Sequence, residues 1–221
     1  MAGPDRINRG IYWSRLVQGR AKVTRVVVAN VPENAGRDLS VEQSILGPDI
    51  ELVQAVARRA RGFGTTIVAY DPYPDEDAAA DLGVQFCDLP TLLAEADIIS
   101  LNCGLSSDNQ HLIDASAFRR MRRNPILINC ARGGLVDEGA LVDALDTGQL
   151  SGAALDVLND ESADLRTSKL TGRKNVIITP HVAFYSDASI LEIRRASASN
   201  IRNFLDGEHA KVRKYVHSAA S

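Results

Sequence analysis

Long apolar runs are missing from this sequence. No stretch approaches the roughly 18–20 consecutive apolar residues that a membrane-spanning helix needs, and the N-terminus, Met-Ala-Gly-Pro-Asp-Arg, has no apolar region of a secretory signal. Only three cysteines occur, Cys87, Cys103 and Cys130, and they lack the paired spacing of a metal site. We therefore expect a cytoplasmic protein with reduced thiols and no bound metal.

A large excess of charge is also missing. The 221 residues include 25 Lys and Arg against 28 Asp and Glu, which gives a formal net charge of -3. This balance gives no reason to expect direct nucleic-acid binding. A local basic cluster has no aromatic residues interleaved, so we favour a solvated helix end over an anion-binding surface. The cluster consists of Arg119, Arg120, Arg122 and Arg123.

Short apolar runs alternate with helix-like segments through most of the chain. Strands are predicted at Thr66–Tyr70, Gln85–Cys87, Asp97–Cys103, Pro125–Asn129, Gly152–Val157 and Val176–Thr179. The segments between them have the lengths of short helices, and Ser189–Asp206 has the apolar spacing of an amphipathic last helix. The alternation is typical of an α/β protein whose parallel sheet is covered on both faces. Ligands of such sheets bind beyond the carboxyl ends of the strands.

Asp71 stands at one of these strand ends, directly after the run VAY. A carboxylate at this place can accept hydrogen bonds from the ribose hydroxyls of NAD and repels the 2′-phosphate of NADP. The alternative is an Asp that only forms a turn before Pro72. With the rest of the sheet considered, we favour cofactor binding.

Arg132 follows another predicted strand and is followed in turn by Gly133 and Gly134. The two glycines leave the backbone open, so the guanidinium can reach a carboxylate with two parallel hydrogen bonds. In isolation, a structural arginine that caps a helix or forms a salt bridge would be the simpler interpretation.

His181 completes the set, since Thr179-Pro180-His181 places a histidine after the last predicted strand. Oxidation of an alcohol needs a group that exchanges a proton with the hydroxyl, and histidine is suited to that role. A nearby carboxylate would fix its tautomer, and Glu161 lies five residues after Asp156, which ends the strand before. A lone histidine is usually structural, but here three such residues occupy successive strand ends.

The segments NCARGGLVDEGAL, GAALDV and TPHVAFYSDAS resemble the signature segments of the D-isomer-specific 2-hydroxyacid dehydrogenases. The stretches YDPY, CGLSSDNQHLI and AFYSDAS are most similar to the C-terminal-binding-protein branch of that family. The resemblance runs from about Gln54 to Gly207 and includes several motifs in the same order. It implies a Rossmann-like doubly wound sheet, NAD as the cofactor, and a small 2-hydroxy or 2-oxo acid as the substrate.

The resemblance also implies roles for individual residues. Arg132 would bind the substrate carboxylate and polarise its carbonyl, His181 would be the acid/base, and Glu161 its partner. Asp71 would hold the adenosine ribose, and Asp156 would approach the nicotinamide amide. The other residues expected to line the cofactor are Cys103, Gly104, Leu105, Asn109, Cys130 and Ala131, together with Arg132 itself.

Two departures from the family pattern stand out. The family has Glu-Pro after the acid, whereas this chain has Glu161-Ser162, and Asp160 remains an alternative to Glu161. The glycine-rich G-x-G-x-x-G loop, which binds the pyrophosphate with backbone N–H groups, does not precede the helix that begins near Gln54. Gly62 and Gly64 do not replace it, because they follow a helix and precede a strand.

The N-terminal part suggests how the chain departs from the family. RVVVANV and DLSVEQSILGPDIELV resemble the first strand and helix of the family's separate substrate domain, as if a deletion joined them to the cofactor domain near Val53–Gln54. We therefore expect a substrate-domain remnant at 1–53 and a cofactor domain at 54–184 without its own first strand and Gly-rich loop. A C-terminal helix and tail would follow at 185–221. A homodimer is possible, but the dimerisation segment is expected to be missing.

The vacancy left by the missing first strand leads to a specific hypothesis. That strand normally lies at the centre of the sheet, and the N-terminal run TRVVVANV could take its place. The hypothesis predicts that this run lies beside the strand that ends at Asp71.

Three functional interpretations follow. The first is an NAD-dependent oxidoreductase of the D-2-hydroxyacid type, favoured by Arg132, Glu161 and His181. The second is a catalytically silent nucleotide-binding or corepressor-like interaction protein, and the third is a truncated product without activity. The missing glycine-rich loop favours these two, and it leads us to expect little or no turnover even where the family assignment holds.

Overall fold

The computed structural model describes residues 25–29, 52–72, 74, 76–162 and 164–211. Seven parallel strands form one sheet in the order β3-β2-β1-β4-β5-β6-β7. The strands are β1 Arg25–Ala29, β2 Thr66–Tyr70, β3 Val84–Phe86, β4 Ile98–Leu101, β5 Ile126–Asn129, β6 Gly152–Leu155 and β7 Val176–Ile178. The predicted Rossmann-like α/β class is confirmed.

The central strand of this sheet comes from the N-terminal part of the chain. β1 pairs with β2 on one side and with β4 on the other, so that Val27 is opposite both Val68 and Ile99. The hypothesis for the run TRVVVANV is confirmed for its described part, because Arg25–Ala29 lies beside the strand that precedes Asp71. Residues 54–184 therefore do not form the sheet alone, because the segment expected to be a substrate-domain remnant contributes an internal strand.

In the described part of the chain, six helices accompany the strands: α1 Leu52–Arg61, α2 Glu76–Leu82, α3 Leu89–Glu95, α4 Ala115–Arg120, α5 Glu138–Asp146 and α6 Asp187–Leu205. Three of them begin at an aspartate whose carboxylate accepts a hydrogen bond from a backbone amide three residues on. Asp88, Asp114 and Asp137 have this role for α3, α4 and α5. Such caps satisfy amide groups that have no partner within the helix, and they fix where each helix begins.

Most of the core lies between the sheet and helices α3, α4 and α5. Ile99 and Leu127 from the sheet are fully buried against this layer, as are Phe118 and Leu141 from the helices. A smaller cluster lies under α1 and α2 and includes Ala57, Ile67 and Leu82. β4 and β5 are mainly apolar and mostly buried, as expected for strands inside a parallel sheet.

Helix α6 is capped by Ser186, which forms a reciprocal capping box with Ser189. No residue of this helix is buried, and Leu191, Ile201 and Leu205 are exposed. Within the described ranges, no helix has the length and apolar character needed to cross a membrane. Most of the segment DLSVEQSILGPDIELV, which is expected to include a helix of the substrate-domain remnant, lies outside the described residues.

The predicted functional residues lie at the carboxyl edge of the sheet, because parallel strands all end on the same side. Asp71 follows β2, and Cys103 to Asn109 lie in the connection after β4. Cys130 to Gly134 follow β5, Asp156 follows β6, and His181 follows β7. The fold thus brings together segments that are far apart in the sequence.

Candidate active site

His181 and Glu161 are in direct contact. The Nδ1 atom of His181 lies 2.9 Å from Oε2 of Glu161, and the side chains are 43% and 49% exposed, respectively. Because a carboxylate only accepts hydrogen bonds, Nδ1 carries the proton in this contact, and the neutral ring keeps Nε2 as an acceptor. An imidazole held in this way can take a proton from a hydroxyl group at Nε2 and later return it.

Asp160 does not share this position. Its Oδ1 accepts hydrogen bonds from the amide of Ser162 at 2.9 Å and from the Ser162 hydroxyl at 2.6 Å. These two bonds join the residues on either side of Glu161, whose own side chain contacts the histidine. The geometry therefore favours Glu161 over Asp160 as the partner of His181.

The backbone at His181 is unusual. Its φ is 50°, in the left-handed region that residues other than glycine seldom adopt. Its amide donates to the carbonyl oxygens of Asp156, at 2.8 Å, and of Thr179, at 3.0 Å. The ring also meets the edge of Phe184, with the centroids 6.2 Å apart. The surroundings thus hold this residue in a conformation that it would rarely adopt by itself.

Asp156 is buried beside this backbone, with only 4% of its surface exposed. Its Oδ1 accepts hydrogen bonds from the Thr179 hydroxyl and from the Val182 amide, and its Oδ2 accepts one from the Ala183 amide. Burial by itself would raise the pKa of the Asp156 carboxyl. The three hydrogen bonds outweigh that effect, and the nearby His181 adds to them, so the pKa lies below its ordinary value.

The family resemblance implies that Asp156 approaches the nicotinamide amide. In the structure its carboxylate points to residues 179, 182 and 183. The cofactor contact stays a prediction, while the contacts with the histidine segment are additional. The sequence offered one signal for them, the hydroxyl of Thr179 two residues before His181, but nothing in a sequence shows which buried acceptor it meets.

Arg132 extends from the end of β5 and is exposed. One of its guanidinium nitrogens donates to the carbonyl of Ala131 at 2.7 Å. The backbone on either side is held by Asn129, whose exposed fraction is 1%. The side chain of Asn129 accepts a hydrogen bond from the backbone amide of Ala131 at 3.0 Å and donates one to the backbone carbonyl of Arg132 at 2.9 Å. Asn129 was not among the predicted site residues, and its burial at a strand end is what reveals its role.

The segments that carry Arg132 and Glu161 are packed together. The amide of Asn159 donates to Oε1 of Glu138 at 2.7 Å, and its side chain donates to the Val136 carbonyl at 3.3 Å. Arg132, Glu161 and His181 thus follow β5, β6 and β7, three adjacent strands. A small carboxylate bound by Arg132 would lie at the same edge as the histidine.

The residues predicted to line a cofactor lie at the carboxyl edge as well. Asp71 is half-buried after β2, and Cys103 is buried after β4. Asn109 is buried and closes the loop in which it stands, because its side chain donates to the Gly104 carbonyl and accepts from the Ser106 amide, both at 2.7 Å. Leu105 in this loop lies close to Gly134. Asn109 thus shapes the loop through these contacts.

Cys130 stands next to the arginine segment and is exposed. Partial desolvation of the thiol raises its pKa, and the negative charge of Asp156 raises it further. At neutral pH the thiol is therefore less ionised than that of an ordinary exposed cysteine. A raised pKa makes Cys130 poorly suited to act as a thiolate nucleophile.

The arrangement fits a dinucleotide. A carboxylate after β2, next to the central strand, is where such folds bind the adenosine ribose, and Asp71 has this place. The loops after β4 and β5 are in contact with each other and border the same crevice. The connection from β1 to α1, residues 30–51, lies outside the described residues, and its sequence contains no G-x-G-x-x-G. The residues present therefore fit the ribose and nicotinamide side and do not identify a diphosphate contact.

A parallel sheet of this order, with Asp71 after the strand next to β1 and a histidine–glutamate contact at the same edge, defines a dinucleotide-binding domain. The chain belongs to the D-isomer specific 2-hydroxyacid dehydrogenase family, whose NAD binding domain matches residues 51–183. This confirms the family recognised from the signature segments and NAD as the cofactor of the domain. The similarity to the C-terminal-binding-protein branch stays a prediction.

Individual relatives agree with this assignment. The chain is 35% identical over 166 residues to D-lactate dehydrogenase of Escherichia coli (strain K12), covering 70% of this chain and 50% of that protein. It is 40% identical over 154 residues to glyoxylate reductase of Korarchaeum cryptofilum (strain OPF8), covering 70% and 46%. The chain thus spans about half the length of the curated relatives it matches.

Solved structures show the same fold. D-lactate dehydrogenase from Aquifex aeolicus, complexed with NAD and lactic acid, superposes with a TM-score of 0.71 at 29% identity, over 87% of this chain and 58% of that one. D-lactate dehydrogenase with NAD+ from Lactobacillus jensenii gives a TM-score of 0.68 at 28% identity, over 90% and 56%.

Proposed function

We propose that this chain is an NAD-dependent oxidoreductase that interconverts a small D-2-hydroxy acid and the corresponding 2-oxo acid. The contact between Nδ1 of His181 and Oε2 of Glu161, 2.9 Å long at the carboxyl edge of a dinucleotide-binding sheet, carries the proposal. It prepares a proton acceptor where such folds bind the nicotinamide. The relatives named lactate dehydrogenase and glyoxylate reductase support this substrate class.

Each residue of the site has a separate task. In the oxidising direction, Nε2 of His181 accepts the proton of the 2-hydroxyl oxygen as C2 of the acid gives up its hydride. Glu161 keeps the proton on Nδ1 and stabilises the imidazolium that forms. In the reducing direction, Nε2 returns the proton to the carbonyl oxygen.

Arg132 binds the carboxylate of the acid, because its planar guanidinium matches the two oxygens and is always charged. The hydroxyl or carbonyl of the substrate is thereby held toward His181. When bound, NAD supplies the hydride acceptor for the hydroxy acid and, as NADH, the donor for the oxo acid. Asp71, together with the loops after β4 and β5, would hold it.

A binding measurement followed by a kinetic one tests the proposal. We expect NADH to bind in the micromolar range by calorimetry, and the protein to reduce small 2-oxo acids. His181→Ala should lower kcat by about 100-fold or more, the usual share of general acid/base catalysis, with NADH affinity unchanged within about twofold. His209→Ala, at a histidine after α6 and outside the site, is the control and should retain activity.

The outcomes are distinct. No binding at millimolar NADH would contradict the proposal. Binding without turnover of any 2-oxo acid would favour the silent nucleotide-binding interpretation. Turnover that survives His181→Ala would refute the role given to the histidine.

A further inference from the structure

Thr179 provides a hydroxyl that the proposed reaction does not use. It lies directly after β7, and its Oγ1 donates to Oδ1 of the buried Asp156. Asp156 follows the neighbouring strand β6, so the bond ties the ends of the last two strands together. Among the three groups that donate to this carboxylate, the Thr179 hydroxyl is a side chain and the other two are backbone amides.

The three donors surround His181 in the sequence. Thr179 precedes it by two residues, while Val182 and Ala183 follow it directly. The backbone of Asp156 takes part too, because its carbonyl accepts the amide of His181 at 2.8 Å. A single buried residue therefore holds the chain before, at and after the histidine.

These hydrogen bonds restrain the backbone at His181, where its conformation is unfavourable. A left-handed non-glycine residue, such as His181 with φ of 50°, persists only where its surroundings determine it. The direction of the imidazole follows from that backbone, and the contact with Glu161 depends on the direction. With its hydroxyl removed, position 179 would leave Asp156 buried with two of its three donors, and the side-chain hydrogen bond between the ends of β6 and β7 would be lost.

We propose that Thr179 is a positioning residue for His181, acting through Asp156 to hold the imidazole against Glu161. The inference rests on the proposed function for its catalytic meaning, but its structural content can be measured without turnover.

The comparison of Thr179→Val with Thr179→Ser separates the hydroxyl from the rest of the side chain. Valine keeps the branched shape and removes the donor, whereas serine keeps the donor. The ring-nitrogen chemical shifts of His181 report its tautomer, and hydrogen exchange reports the amides of Val182 and Ala183. We expect valine to lower the protection of these two amides about tenfold, the equivalent of one net hydrogen bond, and to abolish the single preferred tautomer.

Serine should leave the tautomer unchanged and the amide protection within about twofold of the original. Unchanged shifts and protection in the valine variant would overturn the proposal. A uniform loss of protection that extends to Leu141 in α5 would also overturn it, because it would show a general loss of stability. If valine hinders folding, Thr179→Ala against Thr179→Ser provides the same comparison.

Kinetics distinguish failure of this inference from failure of the proposed function. In a protein that turns over, Thr179→Val should lower kcat about tenfold and leave KM for the 2-oxo acid within about twofold, because it misplaces the acid/base group and not Arg132. If the unchanged protein neither binds NADH nor turns over, the proposed function fails while the exchange and tautomer results still decide the role of Thr179.

Discussion

The backbone of Gly133 lies directly against that of Leu158. A Cβ added at Gly133 would stand 2.2 Å from both the carbonyl carbon and the carbonyl oxygen of Leu158. Neither atom belongs to a flexible side chain, so one of the two loops has to move. We expect Gly133→Ala to lower the free energy of unfolding by about 1–3 kcal/mol, as overpacking usually does, and urea denaturation measures this.

The neighbouring glycine provides the control for that change. A Cβ at Gly134 would meet a terminal methyl group of Leu105, 2.7 Å away. That methyl group can rotate aside, so Gly134→Ala should cost less than Gly133→Ala. Equal losses in both variants would show that the approach of the loops carrying Arg132 and Glu161 is not constrained at Gly133.

A second prediction concerns acid stability. Because the pKa of Asp156 is lowered in the folded protein, its ionised form stabilises the fold above the unfolded pKa, and this stabilisation is lost as the pH falls through the folded pKa. Thr179→Val removes one of the groups that lower this pKa. The loss of stability should therefore begin at a higher pH in the variant, which circular dichroism during acid titration would show. A midpoint at lower pH in the variant would contradict the assignment.

The division of work between two adjacent acids gives a third prediction. Glu161→Gln removes the carboxylate that faces His181 and should lower kcat/KM by about 100-fold. Asp160→Asn, whose side chain can still accept from Ser162, should change kcat/KM by less than about threefold. Steady-state kinetics with a small 2-oxo acid measures both. A larger loss from Asp160→Asn would assign the acid/base partnership to Asp160.

A fourth prediction concerns Cys130, an exposed thiol whose pKa is raised by desolvation and by the charge of Asp156. Its alkylation by iodoacetamide at neutral pH should be slow for an exposed cysteine and should accelerate as the pH rises, because the thiolate reacts. Asp156→Asn removes the negative charge and should increase the rate, as followed by mass spectrometry of the Cys130 peptide. A slower or unchanged rate would exclude the electrostatic effect. The buried Cys103 is an internal reference and should stay unreacted.

The strands were predictable because each is a short apolar run followed by a polar or glycine residue, a pattern that burial within a parallel sheet imposes. The Thr66–Tyr70 strand agrees with its predicted bounds. Others differ by one to three residues, as for α6, which begins at Asp187 and not at Ser189 because the Ser186 capping box sets its start. Caps depend on local geometry that periodicity does not contain.

Less of the candidate site than of the fold could be predicted from the sequence. The sequence predicts Arg132, Glu161 and His181 because the proposed chemistry requires such side chains after successive strands, and the structure brings His181 and Glu161 into contact. Asn129 and Gly133 were not predicted, since their roles arise from a backbone turn and from the approach of a distant loop. Such contacts exist only after the chain has folded, so the sequence does not show them.

The central position of β1 has a mechanical consequence. In the described sheet, β2 and β3 are hydrogen-bonded to the strands from β4 to β7 only through the five residues Arg25–Ala29. Within the sheet, the half that carries Asp71 is therefore hydrogen-bonded to the half that carries His181 only through β1, while helix α3 also packs on β2. Displacement of β1 would let the two halves slide apart, and with them the ends of any dinucleotide bound across the crevice. A change in the position of β1 should therefore alter cofactor affinity more than it alters the helix content of the protein.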